Sequence, residues 1–86
     1  MTLTTLASTD HGTYFVNTTH AAYLIDLDGR FTVRTPRGDD SPAFVTDGTK
    51  VPFTDILLIE VGFSARLHVA GSLYTTSAVE TIEVAA

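Results

Sequence analysis

The chain has 86 residues, no cysteine, and a formal net charge of −5 from five Lys and Arg against ten Asp and Glu. That length makes one domain, and the missing cysteine excludes disulfides, thiolate metal sites and cysteine nucleophiles. The acidic balance argues against a nucleic-acid or anionic-membrane binder, which needs a basic footprint, while 44% hydrophobic and 17% charged residues describe a chain with a modest core rather than a disordered one.

Residues 1–11, MTLTTLASTDH, are polar and Thr-rich and have neither a basic start nor a sustained apolar block. They read as a flexible tail or a short edge strand and not as a signal peptide, leaving residues 12–86 as the single β domain. No apolar run approaches the ~20 residues of a transmembrane helix, so the expected location is the cytoplasm of the producing or host cell. Thr13 to Thr19 reads as a first strand, with Tyr14 and Val16 on one face and Phe15 and Asn17 on the other. Without a secretory signal, the glycosylation triplet Asn17-Thr18-Thr19 reads as ordinary strand sequence.

The segment Tyr23 to Thr35, YLIDLDGRFTVRT, is the clearest hairpin. Tyr23, Ile25, Phe31 and Val33 alternate, and Asp28-Gly29 supplies the turn. A two-residue loop would pair Ile25 with Thr32 and Tyr23 with Arg34, dividing the apolar residues between two faces. A three-residue loop, Leu27-Asp28-Gly29, with Gly29 in a G1 bulge pairs Ile25 with Phe31, Tyr23 with Val33 and Asp26 with Arg30. The second register is expected, because it keeps one face apolar. Residues 36–42, PRGDDSP, form the longest loop and the candidate hinge.

A second hairpin is expected around Asp47-Gly48, pairing Phe44 with Val51 and Thr46 with Thr49, and Pro52 implies an edge or a strand end. The run Ile56 to Val61, ILLIEV, reads as a central strand with Ile56 and Leu58 on one face and Leu57, Ile59 and Val61 on the other. A Gly62-Phe63 turn would set Leu58 opposite Leu67 and Ile56 opposite Val69. A G1-bulge loop at Val69-Ala70-Gly71 would pair Leu67 with Leu73. The last segment, Leu73 to Val84, is strand-like but interrupted near Ser77-Ala78, with Val79, Ile82 and Val84 packing back on the core. The expected core is therefore Tyr23, Ile25, Phe31, Val33, Phe44, Val51, Ile56, Leu58, Leu67 and Leu73. The fold class is all-β: one small antiparallel meander of about seven strands, closing as a barrel or a two-sheet sandwich.

No constellation carries recognisable chemistry. His11, His20 and His68 lack the spacing of a metal pair, and His68 falls on an outer strand face. The Asp26-Leu27-Asp28-Gly29 stretch lacks the further ligands of a calcium loop and reads as a turn. Asp39 and Asp40 are adjacent and do not converge on one reacting atom. No nucleophile elbow, phosphate loop or dinucleotide fingerprint occurs, so no catalytic residue, metal or cofactor is assigned and the chain is read as non-enzymatic. Arg30, Arg34 and Arg37 are three of the five basic residues. They form a candidate anchor patch for an acidic partner, and Leu57, Ile59 and Val61 form a candidate apolar contact.

The series Tyr23-Leu24-Ile25-Asp26-Leu27-Asp28, then Val33-Arg34-Thr35-Pro36, with Asp47-Gly48, Val61-Gly62 and Thr75 to Val79 in order, resembles short uncharacterised all-β proteins of actinobacteria and their bacteriophages over residues 13–84. The resemblance implies no activity or site that transfers. The reading that results is a protein-binding module, a phage or actinobacterial accessory protein that associates with itself as a homo-oligomer or with a host protein. The alternative is a structural subunit of a virion-like assembly, and a small metal-dependent hydrolase is the least favoured reading.

Overall fold

Alternating β-branched and aromatic residues give strands along most of the chain, and among the described residues there is no helix. The computed structural model describes residues 2–7, 9–37, 48–69 and 71–85. Its strands are β1 (Thr2–Leu3), β2 (Thr13–Thr18), β3 (Ala21–Asp26), β4 (Phe31–Pro36), β5 (Val51–Leu58), β6 (Ser64–Val69) and β7 (Ser72–Val84). Among the described residues no helix is long and apolar enough to cross a membrane. Strands β2 to β7 follow one another as an antiparallel meander, and β7 pairs with both β6 and β2, so six strands close into a ring. This is the barrel form of the expected all-β meander. The expected pairings of Phe44 and Thr46 lie outside the described residues.

The turns are set by local hydrogen bonds. At the end of β2 the Thr18 hydroxyl donates to the Ala21 carbonyl (2.8 Å) and accepts from the Ala21 amide (3.2 Å), which closes the Thr19-His20 turn. In the next hairpin the Asp26 carboxylate accepts from the amides of Asp28 (3.0 Å) and Gly29 (2.8 Å). Arg30 takes the left-handed conformation there, with φ of 58°. A Cβ at Gly29 would meet the edge of the Phe31 ring at 2.8 Å, so a larger residue there must push the ring aside.

That hairpin corrects the expected register. Ile25 faces Thr32, Tyr23 faces Arg34, Leu24 faces Val33 and Asp26 faces Phe31. The inward residues of β4 are thus Thr32 and Arg34, while Phe31 and Val33 are only half-buried. Two features favour this pairing. Leu27 to Arg30 form a four-residue loop held by Asp26, and the outer face gains an apolar row in which Phe15 pairs with Leu24 and Leu24 with Val33. Lys50 places its ammonium 4.7 Å from the Phe31 ring centroid on β4.

The two longest strands are bulged, and this relocates much of the core. In β5 the register with β6 shifts between Phe53 and Asp55 and again between Ile56 and Leu58. Each extra residue reverses the inward parity, so the buried positions are Phe53, Ile56 and Ile59, three apart. Leu58 is half-buried and faces Arg66, and Ile56 faces Leu67 rather than Val69. The interruption expected near Ser77-Ala78 is a register shift within one continuous strand. With a second shift opposite Asn17 and Thr18, it spaces the buried residues of β7 as Thr76, Val79 and Ile82. Val84 is exposed. Leu67 pairs with Tyr74 and not Leu73, which points outward at 54% exposure. This register turns Tyr74 toward Tyr23.

The N-terminal segment fills the seam between the C-terminal end of β7 and the residues that follow β5. Thr2 and Leu3 pair with Glu83 and Ile82, and Thr5 bridges Glu60. The Leu6 amide donates to the Ile59 carbonyl and the Val61 amide to the Thr4 carbonyl, both at 2.9 Å. Leu6 is buried in the core beside Ile59 and Ile82. On the opposite side of the ring, among the described residues, β4 and β5 pair at Phe31 with Pro52 and at Thr32 with Val51, and the amides of Gly48 and Phe53 donate to the carbonyls of Arg34 and Arg30.

Candidate functional site

Small inward residues leave the barrel interior incompletely filled. A cavity of about 360 Å³ lies inside the ring, within the size range of small-molecule sites. Its apolar wall is formed by Val16, Ile25, Val51, Ala65, Leu67 and Val69. Its polar wall carries Tyr23, Thr32, Arg34, Tyr74 and Thr76. A smaller cavity of about 130 Å³ adjoins it, bounded also by His20, Thr75 and Ser77. Tyr23, Arg34, Tyr74 and Thr76 line both. Polar and aliphatic groups adjoin around the main cavity: Tyr23 faces Val16 and Arg34, Thr32 faces Ile25 and Val51, Tyr74 faces Leu67, and the Thr76 hydroxyl bonds the Ala65 amide.

Strand pairing explains the placement. Arg34 and Tyr23 are direct cross-strand neighbours on β4 and β3. Tyr74 comes from β7 across the ring, and its hydroxyl meets that of Tyr23 at 2.9 Å. The two rings stand edge to face, 6.1 Å apart with an interplanar angle of 89°. The Thr76 hydroxyl donates to the Ser77 carbonyl (2.7 Å) and accepts from the Ala65 amide (3.0 Å), tying β7 to β6 beside the cavity. The Thr32 hydroxyl is buried and has no hydrogen-bond partner among the described residues. Arg34, 8% exposed, brings a permanent positive charge into this wall.

The three arginines expected as one outward patch are separated by the fold. Arg34 points inward for the register reason given above. Arg30 extends outside the ring, where its Nη2 donates to the Thr54 carbonyl (2.7 Å) and its guanidinium lies 5.0 Å from the Phe53 ring centroid. Arg37 sits at the Thr19-His20 end, donating to the Thr18 carbonyl (2.6 Å) and to Glu80 (2.7 Å). The apolar contact expected from Leu57, Ile59 and Val61 is divided as well. Leu57 is 52% exposed, Ile59 is 1% exposed in the core, and Val61 is half-buried against it. The bulge after Ile56 is the cause.

The remaining candidates have local roles. Asp28 accepts from His11 Nδ1 (3.1 Å) and from the Gly12 amide (3.2 Å), which pins the N-terminal approach to the β3–β4 loop. His68 lies on the outer face between Asp55 and Leu73. Asp39 and Asp40 lie outside the described residues. Among the described residues no group of three His, Asp or Glu side chains is placed to hold a metal ion.

Sequence reasoning missed the cavity because it assigned Thr32 and Arg34 to the outer face. One signal was available. The register rejected for splitting the apolar residues is the one that places two polar residues, Thr32 and Arg34, inside. No protein-family model, no curated protein and no solved structure matches this chain.

Proposed function

We propose that the protein is a non-enzymatic binding module that takes a small apolar molecule into its barrel. The observation that carries this reading is the cavity of about 360 Å³, lined by six aliphatic residues together with Tyr23, Thr32, Arg34, Tyr74 and Thr76. Small barrels usually fill their interior with side chains. An interior left open supports ligand binding over a purely architectural role. The test is calorimetric titration with decanol, a neutral probe matched to the aliphatic wall, on the native chain and on Ala65→Leu. Saturable binding of one molecule per chain that Ala65→Leu abolishes is the expected result. No saturable binding, or binding indifferent to the added side-chain volume, overturns the reading.

A second reading, association with another copy of the chain, is favoured by the outer row Phe15, Leu24 and Val33 across β2, β3 and β4, with Phe15 exposed. Light scattering on the native chain and on Phe15→Lys tests it. A dimer lost on substitution supports association through this face, and a monomer at high micromolar concentration removes it.

A further inference from the structure

Granting the interior as the binding site, we infer that the molecule it takes is small, largely hydrocarbon, and carries an oxygen that accepts a hydrogen bond from the Thr32 hydroxyl. The starting point is a buried polar group that the fold leaves unanswered. Thr32 is 8% exposed and lines the main cavity, and its Oγ1 has no hydrogen-bond partner among the described residues. A hydroxyl shut away from water without a partner is costly to a folded chain and is uncommon for that reason.

The other polar side chains of the lining are engaged within the protein. The Tyr23 and Tyr74 hydroxyls meet each other at 2.9 Å. The Thr76 hydroxyl donates to the Ser77 carbonyl and accepts from the Ala65 amide, and Arg34 makes interactions of its own. Thr32 differs because of its neighbours. Its cross-strand partners are Ile25 on β3 and Val51 on β5, and both line the same cavity. Directly paired side chains stand ~4.5–5.5 Å apart at Cβ, so aliphatic groups flank the hydroxyl on both sides and give it nothing to bond.

The ligand's character follows from these surroundings. The aliphatic flanks of Ile25 and Val51 call for a hydrocarbon skeleton, and the hydroxyl between them calls for one polar atom set into it. Both a ketone and an alcohol oxygen can accept from a threonine hydroxyl. Volume sets the size: a cavity of about 150 Å³ takes benzene, so about 360 Å³ holds on the order of a dozen non-hydrogen atoms. A fused bicyclic ketone such as α-tetralone matches both demands, and tetralin is the same skeleton without the oxygen.

The experiment titrates α-tetralone and tetralin by calorimetry into the native full chain and into Thr32→Val, which keeps the shape and removes the hydroxyl. Comparing each ligand between the two chains cancels its own cost of leaving water. Both ligands are expected to bind one molecule per native chain. Thr32→Val should weaken α-tetralone about tenfold, because its carbonyl is left buried without a donor, and should leave tetralin as tight or tighter. The carbonyl stretch of bound α-tetralone should lie below its value in a hydrocarbon solvent and return toward that value in Thr32→Val. If Thr32→Val does not fold, Thr32→Ala takes its place, and a carbonyl stretch on the native chain equal to that in hydrocarbon overturns the inference by itself. Tetralin binding with α-tetralone excluded, or α-tetralone binding indifferent to the loss of the hydroxyl, overturns the role of Thr32 and leaves interior binding standing. Absence of binding by both overturns the interior reading itself.

Discussion

Truncating three consecutive residues, Leu57, Leu58 and Ile59, tests the bulged path of β5 and the seam it creates. A regular strand would bury Leu58 and expose the two flanking residues to the same degree. Here exposure runs from 52% at Leu57 through half-burial at Leu58 to 1% at Ile59. Ile59→Ala removes side-chain volume from the core cluster that also holds Leu6, Val79 and Ile82, and it should cost ~2–5 kcal/mol. Leu58→Ala should cost ~1–2 kcal/mol for partial loss of burial, and Leu57→Ala should fall within ~0.5 kcal/mol of the native chain. For 86 residues the total stability is about 4–13 kcal/mol, so a loss of ~3 kcal/mol at Ile59 lowers Tm by about 12–24 °C. Urea melts followed by circular dichroism measure all three, with Ile59→Val as a milder substitute if the alanine variant does not fold. A larger loss at Leu58 than at Ile59 would mean that β5 runs without its second bulge and that the N-terminal segment does not cover this seam.

Three further changes probe the turn and the cavity wall. Tyr23→Phe keeps the edge-to-face ring contact but removes the hydroxyl bonded to Tyr74. It should cost ~0.5–1.5 kcal/mol in a denaturant melt, and no loss would deny that bond a structural role. Thr18→Val leaves the shape at a fully buried site but removes a hydroxyl that both donates to and accepts from Ala21. Unfolding free energy should fall by ~1–3 kcal/mol, and a neutral result would mean the Thr19-His20 turn closes without it. Gly29→Ala forces the Phe31 ring aside and should cost ~1 kcal/mol, whereas an unchanged midpoint would show that the ring yields freely.

The strands themselves were legible because alternation and turn residues are local signals. The class, the meander and the hairpins follow from Tyr23 and Ile25, Asp28-Gly29 and Gly62 without knowledge of the whole. Registers were not legible, and the reason is physical. A hairpin register was inferred from the assumption that apolar residues share one buried face, yet Leu24, Phe31 and Val33 gain from apolar neighbours on the outer face, and the inner face of β4 holds Thr32 and Arg34. Bulges were also invisible. Nothing in the residues from Phe53 to Ile59 announces that the inward positions fall three apart. The shifts arise because a ring of six strands must coil strongly to close, and bulges increase the local twist and bend. The candidate site was missed for the same reason, since an arginine placed one residue out of register changes from a solvated surface group into part of a cavity wall.

The cavity sets a limit on how the barrel can be stable. An empty apolar void of about 360 Å³, at ~24 cal/mol per Å³, would cost about 9 kcal/mol. That is comparable to the whole stability of a domain this size, so water or a ligand in the cavity would offset a large penalty. Ala65 is the smallest side chain in the lining. Ala65 is buried and lines the aliphatic wall. Ala65→Leu adds a side chain toward the free volume and should raise the stability of the ligand-free chain by ~0.5–2 kcal/mol. A ligand at about 100 times its Kd stabilises the native chain by ~2.7 kcal/mol, a rise of about 11–22 °C in Tm, and that rise should shrink or vanish in Ala65→Leu. Thermal melts with and without decanol read both effects at once. A destabilisation of more than ~1 kcal/mol by Ala65→Leu would be the signature of overpacking, and it would show that Ala65 faces filled space and that the interior is closed to ligands.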